Sequence, residues 1–257
     1  MTSVARASVV LAAVVLATFL ALPVAALIVR ALAGGAAVAG GAVPAALALS
    51  ATTTAMPLVL VLVFGTPLAW VLARRRFRGR QLVEALVDLP IVLPPAVAGL
   101  GLLLLLGRRG PLGWTGIELA FSTPAVVLAQ TFVAAPFYVR AARGAFARVE
   151  RDLEDAARVD GAGGWEAFRH VTLPLTAPIL AGGAILAWAR ALGEFGATIM
   201  FAGNIAGATQ TLPLAVYAEF QSSLDSSIAA AVMLVAAAFA VLFAVRLTRV
   251  DAAPDGD

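Results

Sequence analysis

Residues 9–29 read VVLAAVVLATFLALPVAALIV, running from Val9 to Val29 without a charged side chain. An α-helix rises about 1.5 Å per residue, so about 20 apolar residues cross the roughly 30 Å hydrocarbon layer of a bilayer. The stretch therefore reads as a membrane-spanning helix. Arg6 precedes it, as in a secretory signal, but the run exceeds the roughly 7–15 apolar residues of a signal core. Five further segments qualify: Ala55 to Leu72, Leu89 to Leu106, Ala125 to Val139 with extensions at both ends, Ala177 to Phe201, and Ile228 to Val245. We expect an all-α integral membrane protein of six transmembrane helices, with one membrane domain over residues 1–250 and a disordered tail over 251–257.

Composition agrees. Of 257 residues, 61% are hydrophobic and 13% charged, where soluble domains carry about a quarter charged residues. There is no cysteine and a single histidine, His170, so we expect neither a disulfide nor a metal site. No nucleophile, base and ligand cluster lies in the spans, so no catalytic residue is assigned and an enzyme is not expected. All 18 basic residues are arginine. A phosphate loop of the form G-x-x-x-x-G-K-[ST] needs a lysine, so this chain is not expected to bind ATP or any other cofactor. The net charge of +3, with arginines beside apolar spans rather than on one soluble face, does not describe a nucleic-acid binder.

The arginines orient the spans. With six crossings, one face holds both termini, the second-to-third loop (Arg74, Arg75, Arg76, Arg78, Arg80) and the fourth-to-fifth loop (Arg140, Arg143, Arg148, Arg151, Arg158, Arg169). With Arg6, Arg246 and Arg249 that face carries 14 arginines, against Arg30, Arg108 and Arg109 opposite. The positive-inside rule puts both termini in the cytoplasm of a multi-pass plasma (inner) membrane protein. Pro90, Pro94 and Pro95 fall in the third span, Pro136 interrupts the fourth, and Gly193, Gly196 and Gly203 loosen the outer end of the fifth. Broken helices survive at membrane depth where protein or a watery cavity satisfies the freed backbone. These three spans are candidates to line a pathway, with ordinary kinking of a packed bundle as the alternative.

The fourth-to-fifth loop is patterned. Residues 150–161 read ERDLEDAARVDG. Asp152, Glu154 and Asp155 suit a helix start, Glu154 should pair with Arg158 at i,i+4, and Gly161 suits a C-terminal stop. A short exposed helix follows, with Leu153, Ala156, Ala157 and Val159 as a narrow face that another surface can approach. Trp165, Phe168 and Val171 recur at helical spacing and should anchor a second short helix at the membrane surface.

This loop resembles that of importer permeases of the ATP-binding-cassette type, whose form is E-A-A-x3-G-x9-I-x-L-P. The chain has Asp155-Ala156-Ala157, Gly161 after three residues, then nine residues, then Val171-Thr172-Leu173-Pro174. Asp155 stands for the usual glutamate and Val171 for isoleucine. The resemblance implies a cytoplasmic coupling helix between the fourth and fifth spans that docks on the ATPase subunit, through Leu153, Glu154, Asp155, Ala156, Ala157, Arg158, Gly161, Ala162, Leu173 and Pro174. Two further stretches look like the molybdate-type permeases: Leu89-Pro90-Ile91-Val92-Leu93-Pro94-Pro95 with Gly107-Arg108-Arg109-Gly110, and Ala191-Leu192-Gly193-Glu194-Phe195-Gly196-Ala197-Thr198 with Gly203-Asn204 and Thr211-Leu212-Pro213. What this implies is import of an oxyanion, molybdate or tungstate, with sulfate and thiosulfate permeases as close relatives. It also implies a second permease copy, two ATPase subunits that carry ATP and Mg, and a periplasmic or lipid-anchored binding protein.

Arg190 lies roughly 20 Å into the layer, counted from Ala177. In lipid it would cost about 2.5–3.5 kcal/mol, so it should face the bundle, with Glu194 one turn on as its partner. One reading is that Arg190 biases an outward cavity toward anions; the other is a structural ion pair. Pro94, Pro95, Gln130, Arg190, Glu194, Thr198 and Asn204 make up the candidate pathway. A stand-alone secondary transporter is the rival, and would need ion-coupling carboxylates at the membrane centre and a repeat between halves.

Overall fold

The computed structural model describes residues 3–33, 42–111, 113, 116 and 118–250; the expected tail over 251–257 lies outside them. Every regular element among the described residues is helical: α1 (Ser3–Ala33), α2 (Ala42–Arg74), α3 (Arg80–Val92), α4 (Pro95–Leu106), α5 (Thr123–Arg148), α6 (Arg151–Val159), α7 (Gly164–Ala167), a π-turn (Phe168–Thr172), α8 (Leu173–Leu192), α9 (Gly196–Phe201), α10 (Leu212–Ser222) and α11 (Leu224–Val250). Among the described residues five helices are long and apolar enough to cross a membrane, or six if the bent pair α3 and α4 is one span. The chain divides into two compact units, Met1–Leu47 with Leu212–Asp257, and Ala48–Thr211.

In the first unit, Val43 and Ala46 from the first turns of α2 meet Leu212 and Ala215 of α10 and Ala230 of α11. Ser227 Oγ donates to Val216 O at 3.0 Å, fastening α11 to α10. Such small and hydroxyl side chains let helices in a bilayer approach and bond, where apolar bulk gains nothing over lipid. Along its spanning stretch α1 is exposed, as a lipid-facing helix would be.

The second unit is built around α5, the most buried of the candidate spans. Gly183 lets α8 press against it: an added Cβ would lie 2.8 Å from Ala141 Cβ. Tyr138 of α5 shares a 2.7 Å hydrogen bond with Thr66 of α2. The expected interruption at Pro136 is corrected, since α5 runs through it without a break; neighbouring helices steady a proline kink that water would not.

The third expected span, Leu89 to Leu106, is interrupted at its prolines as the sequence suggests, and its first piece begins earlier, at Arg80. Its helix breaks at Leu93 and Pro94 and the two pieces meet at a bend of 118°. Pro94 and Pro95 are the reason, because a proline disfavours α geometry in the residue before it and Pro95 has no N–H for the ladder. Neither α3 nor α4, about 20 and 18 Å long, spans the layer alone. Their far ends nevertheless lie at opposite ends of α5. Glu84 and Asp88 of α3 face Arg143 and Arg140 at 2.9 and 3.6 Å, while Leu102, Leu103 and Leu106 of α4 pack on the cluster of Ala125, Val126, Ala129 and Val133. The pair thus reaches both ends of α5. The fifth expected span, Ala177 to Phe201, likewise ends early, at Leu192, and resumes as α9 after Gly193–Phe195.

Candidate functional site

Two places in the second unit gather the residues singled out by sequence. The first is the junction around α6. Its C-terminus closes with two bonds, Gly161 N–H to Arg158 O and Ala162 N–H to Ala157 O, both 3.0 Å. This is the double bond pattern that needs a left-handed residue, and Gly161 supplies it at φ 95°. Two residues later Gly163 N–H donates to Glu166 Oε2 at 2.7 Å, so the hinge between α6 and α7 is held at both ends.

The expected Glu154 to Arg158 pair does not form. Arg158 reaches Asp155 at 2.7 Å instead. Glu154 is turned inward and 8% exposed, where Oε1 accepts from Arg74 Nη2 at 2.8 Å and from Thr172 Oγ1 at 2.6 Å. The cause is burial: an inward carboxylate must meet a charge, and Arg74 is the buried cation at the end of α2. Glu154 thereby ties α6 to the end of α2 and to the π-turn that starts α8.

The rest of the predicted loop divides by face. Leu153 (44% exposed) and Val159 (88%) point outward, as do Asp155, Ala156, Arg158, Gly161, Leu173 and Pro174, with Ala157 and Ala162 half-buried. The expected second surface helix is corrected. Gly164 to Leu192 is one continuous helix, with a π-turn in which Leu173 N–H bonds Phe168 O. The turn shifts the bonding register just where Pro174 has no N–H to give. Phe168 faces inward against Trp70 and Phe146, at ring separations of 6.3 and 6.0 Å, and Trp165 stacks on it from outside at 5.6 Å.

The second place is where the two broken helices meet. Arg190 Nη1 lies 2.6 Å from Glu194 Oε2, the pair the spacing predicts. Glu194 is 1% exposed, and its Oε1 accepts the Ala197 N–H at 2.7 Å. One carboxylate therefore holds the arginine at the end of α8 in place and accepts an open donor of α9. α9 lies directly on α4. A Cβ on Gly99 would stand 2.5 Å from Ala197 O, and one on Gly196 would stand 2.8 Å from Pro95 Cβ.

Pro95, Glu194 and Thr198 are thus brought to one crossing, with Pro94 at its edge and Arg190 one turn below. Gln130 and Thr198 are wholly buried, and neither Gln130 amide atom nor Thr198 Oγ1 has a hydrogen-bond partner among the described residues. Buried polar groups left open are uncommon and mark places where a rearrangement or a bound molecule completes them. Asn204 is exposed in the following loop and does not join them. That loop is pinned by Thr123 Oγ1, which donates to Ala208 O at 2.9 Å, and by Ile205 N–H, which donates to Thr209 Oγ1 at 2.9 Å.

Arg74, Thr172, Gly99, Gly196 as a contact point, and Thr209 are the residues that sequence reasoning passed over. Gly99, set in a leucine-rich run, carried a usable signal of close approach; Arg74 was one arginine among five.

Residues 65–252 match the family described as binding-protein-dependent transport system inner membrane component. The chain is 44% identical over 202 residues to the molybdenum transport system permease protein ModB of Escherichia coli K12, covering 77% of this chain and 88% of that protein. It is 45% identical over 204 residues to the protein of the same name in Mycobacterium tuberculosis, covering 78% and 77%. Among solved structures, it is similar to a chain of a bacterial ABC transporter involved in import of the acidic polysaccharide alginate, with a TM-score of 0.73 at 18% identity, covering 96% of this chain and 95% of that one.

Proposed function

The chain belongs to the family of binding-protein-dependent transport system inner membrane components, and on that footing we propose that it is the permease subunit of an ATP-driven importer for molybdate or tungstate. The observation that carries the reading is the α6 junction. A short helix with outward apolar residues, capped at its C-terminal hinge, is fastened by one buried carboxylate to two long helices. Force applied to Leu153 and Val159 from outside the chain is delivered through Glu154 to α2 and α8 together. A helix held only by a flexible loop would absorb that force.

The chain has no lysine for a phosphate loop, so ATP and Mg belong to two partner ATPase subunits on the arginine-rich face, which is cytoplasmic with both termini. Six crossings make one membrane domain, paired with a second copy around a shared pathway. A periplasmic or lipid-anchored binding protein delivers the oxyanion to the far side. The crossing of α4 and α9 is the moving part. It is made of two short helix pieces, backbone against backbone at glycines, with unused hydrogen-bonding capacity at Gln130 and Thr198. Arg190, held by Glu194, supplies the positive charge that an oxyanion requires, and Asn204 lies toward the outer mouth. The chain has two access states, and nucleotide on the partner selects between them.

The test is uptake by proteoliposomes holding the permease, its ATPase and its binding protein. ATP-dependent accumulation of radiolabelled molybdate in preference to sulfate is the expected result. Preference for sulfate or thiosulfate transfers the chain to that neighbouring group, and accumulation without any ATPase overturns the reading.

A further inference from the structure

Between α2 and α3 the chain reads Arg74-Arg75-Arg76-Phe77-Arg78-Gly79-Arg80, five arginines in a turn. Two are spent on carboxylates: Arg74 on Glu154 and Arg80 on Glu84, each at 2.8 Å. Arg75, Arg76 and Arg78 are exposed and make no ion pair with a carboxylate among the described residues. Arg75 is steadied over the Trp70 ring, 6.0 Å from its centre. Three like charges kept together without a counter-charge repel one another, and the arrangement calls for an anion.

The helix that follows is two-faced. Val83 and Val87 pack toward the core cluster with Tyr138 and Phe146, and Glu84 and Asp88 face α5. On the other side Leu82, Leu86 and Leu89 are 64%, 56% and 43% exposed, spaced i, i+4 and i+7 in one stripe. Where the stripe meets the arginines there is an open hollow of about 470 Å³ lined by Arg76, Phe77, Gly79, Arg80, Gln81 and Leu82. Gly79 lines it with left-handed backbone, φ 88°, and no atom lies within 4 Å of its Cβ position. Unpaired arginines at one end, an apolar stripe leading away and a hollow between them match a molecule with an anionic head and a hydrocarbon tail. Clusters of basic residues just beyond a spanning helix are attracted to anionic lipid headgroups, at about 1 kcal/mol per charge.

We propose that the 75–82 turn and the outer stripe of α3 bind an anionic phospholipid of the inner leaflet. Arg76 and Arg78 take its phosphate while an acyl chain lies along Leu82, Leu86 and Leu89. A tightly held lipid here fills the outer side of α3, whose inner side holds the end of α5, and so stiffens the first half of the bent pair. The inference goes beyond the transport reading and stands whatever the imported solute is.

Native mass spectrometry of the purified permease with its ATPase in detergent, titrated with phosphatidylglycerol, phosphatidylcholine or inorganic phosphate, tests it. Wild type should retain phosphatidylglycerol and not phosphatidylcholine, and millimolar phosphate should not displace it. The triple change Arg75→Gln, Arg76→Gln and Arg78→Gln should weaken retention by about a hundredfold. The corresponding arginine-to-lysine triple should keep it, which separates charge from misinsertion. Leu82→Ser with Leu86→Ser, which leaves every charge in place, should also weaken retention. Equal retention of both lipids, or unchanged retention in the glutamine triple, overturns the proposal. So does loss of the ATPase subunit from the triple with lipid still bound, because the arginines then serve a protein interface.

Discussion

Two arginine–glutamate pairs among the described residues of the second unit rest on a buried carboxylate, and they are opposites. Arg190 and Glu194 stand one helical turn apart, and their pairing closes a local break, because the same carboxylate also accepts the Ala197 N–H of α9. Arg74 and Glu154 are 80 residues apart, and their pairing joins α6, α2 and, through Thr172, the start of α8. The local pair shapes one place. The distant pair makes three elements move as one. A buried charge costs several kcal/mol to desolvate and is retained only where its partner is well placed, so each pair commits the chain to one geometry, on different scales.

The contrast predicts unequal effects. Glu154→Ala leaves Arg74 buried without its carboxylate and should destabilise the permease by about 3–5 kcal/mol, read as a lower unfolding temperature in detergent. The double change Arg74→Met with Glu154→Met should recover most of that stability and still hydrolyse ATP without moving molybdate. If the double variant transports normally, the pair is packing and not a linkage. Arg190→Gln leaves Glu194 its Ala197 N–H and should cost less, about 1–3 kcal/mol. Its signature lies elsewhere: oxyanion uptake falling about tenfold or more while assembly and ATPase activity persist. Unchanged uptake would reduce Arg190 to a structural ion pair.

The same contrast marks what the sequence made legible. The Arg190 to Glu194 pair follows from i,i+4 spacing, as do the helical class and the cap at Gly161, since helices and caps are written in adjacent residues. The same rule pairs Glu154 with Arg158, but both Asp155 and Glu154 lie within reach of Arg158 and only the fold decides which carboxylate is buried beside Arg74. The prolines are not equivalent. Pro94 and Pro95 in succession break a helix, whereas Pro136 alone sits within α5, whose neighbours support it. The crossing of α4 on α9 was hidden for a further reason: it joins positions about 100 residues apart through glycines, which contribute no side chain to a pattern.

That crossing offers a sharper measurement. Gly99→Ala drives a methyl into the Ala197 carbonyl, 2.5 Å away, and should cost about 1–3 kcal/mol as overpacking, with slower uptake. Gly101→Ala, two residues on with nothing within 4 Å, should be neutral or gain up to about 1 kcal/mol in helix propensity. Similar losses from both would show that α4 is sensitive along its whole length and not at the contact with α9.

The smallest expected effect tests the linkage from its other end. Gly161 holds φ 95° with open space where a Cβ would go, so Gly161→Ala meets no clash and costs only the left-handed backbone, about 1–2 kcal/mol. Gly161→Asn, which tolerates that region better, should cost less than alanine. Glu154 remains buried in both variants, so α6 keeps its attachment to α2 and α8 while its far end loosens. Uptake should continue with more ATP hydrolysed per molybdate imported, a partial slip where Glu154→Ala gives complete failure. Were Gly161→Ala to uncouple as fully as Glu154→Ala, the stiffness of the junction would come from the capped hinge, and the buried pair would be its anchor only.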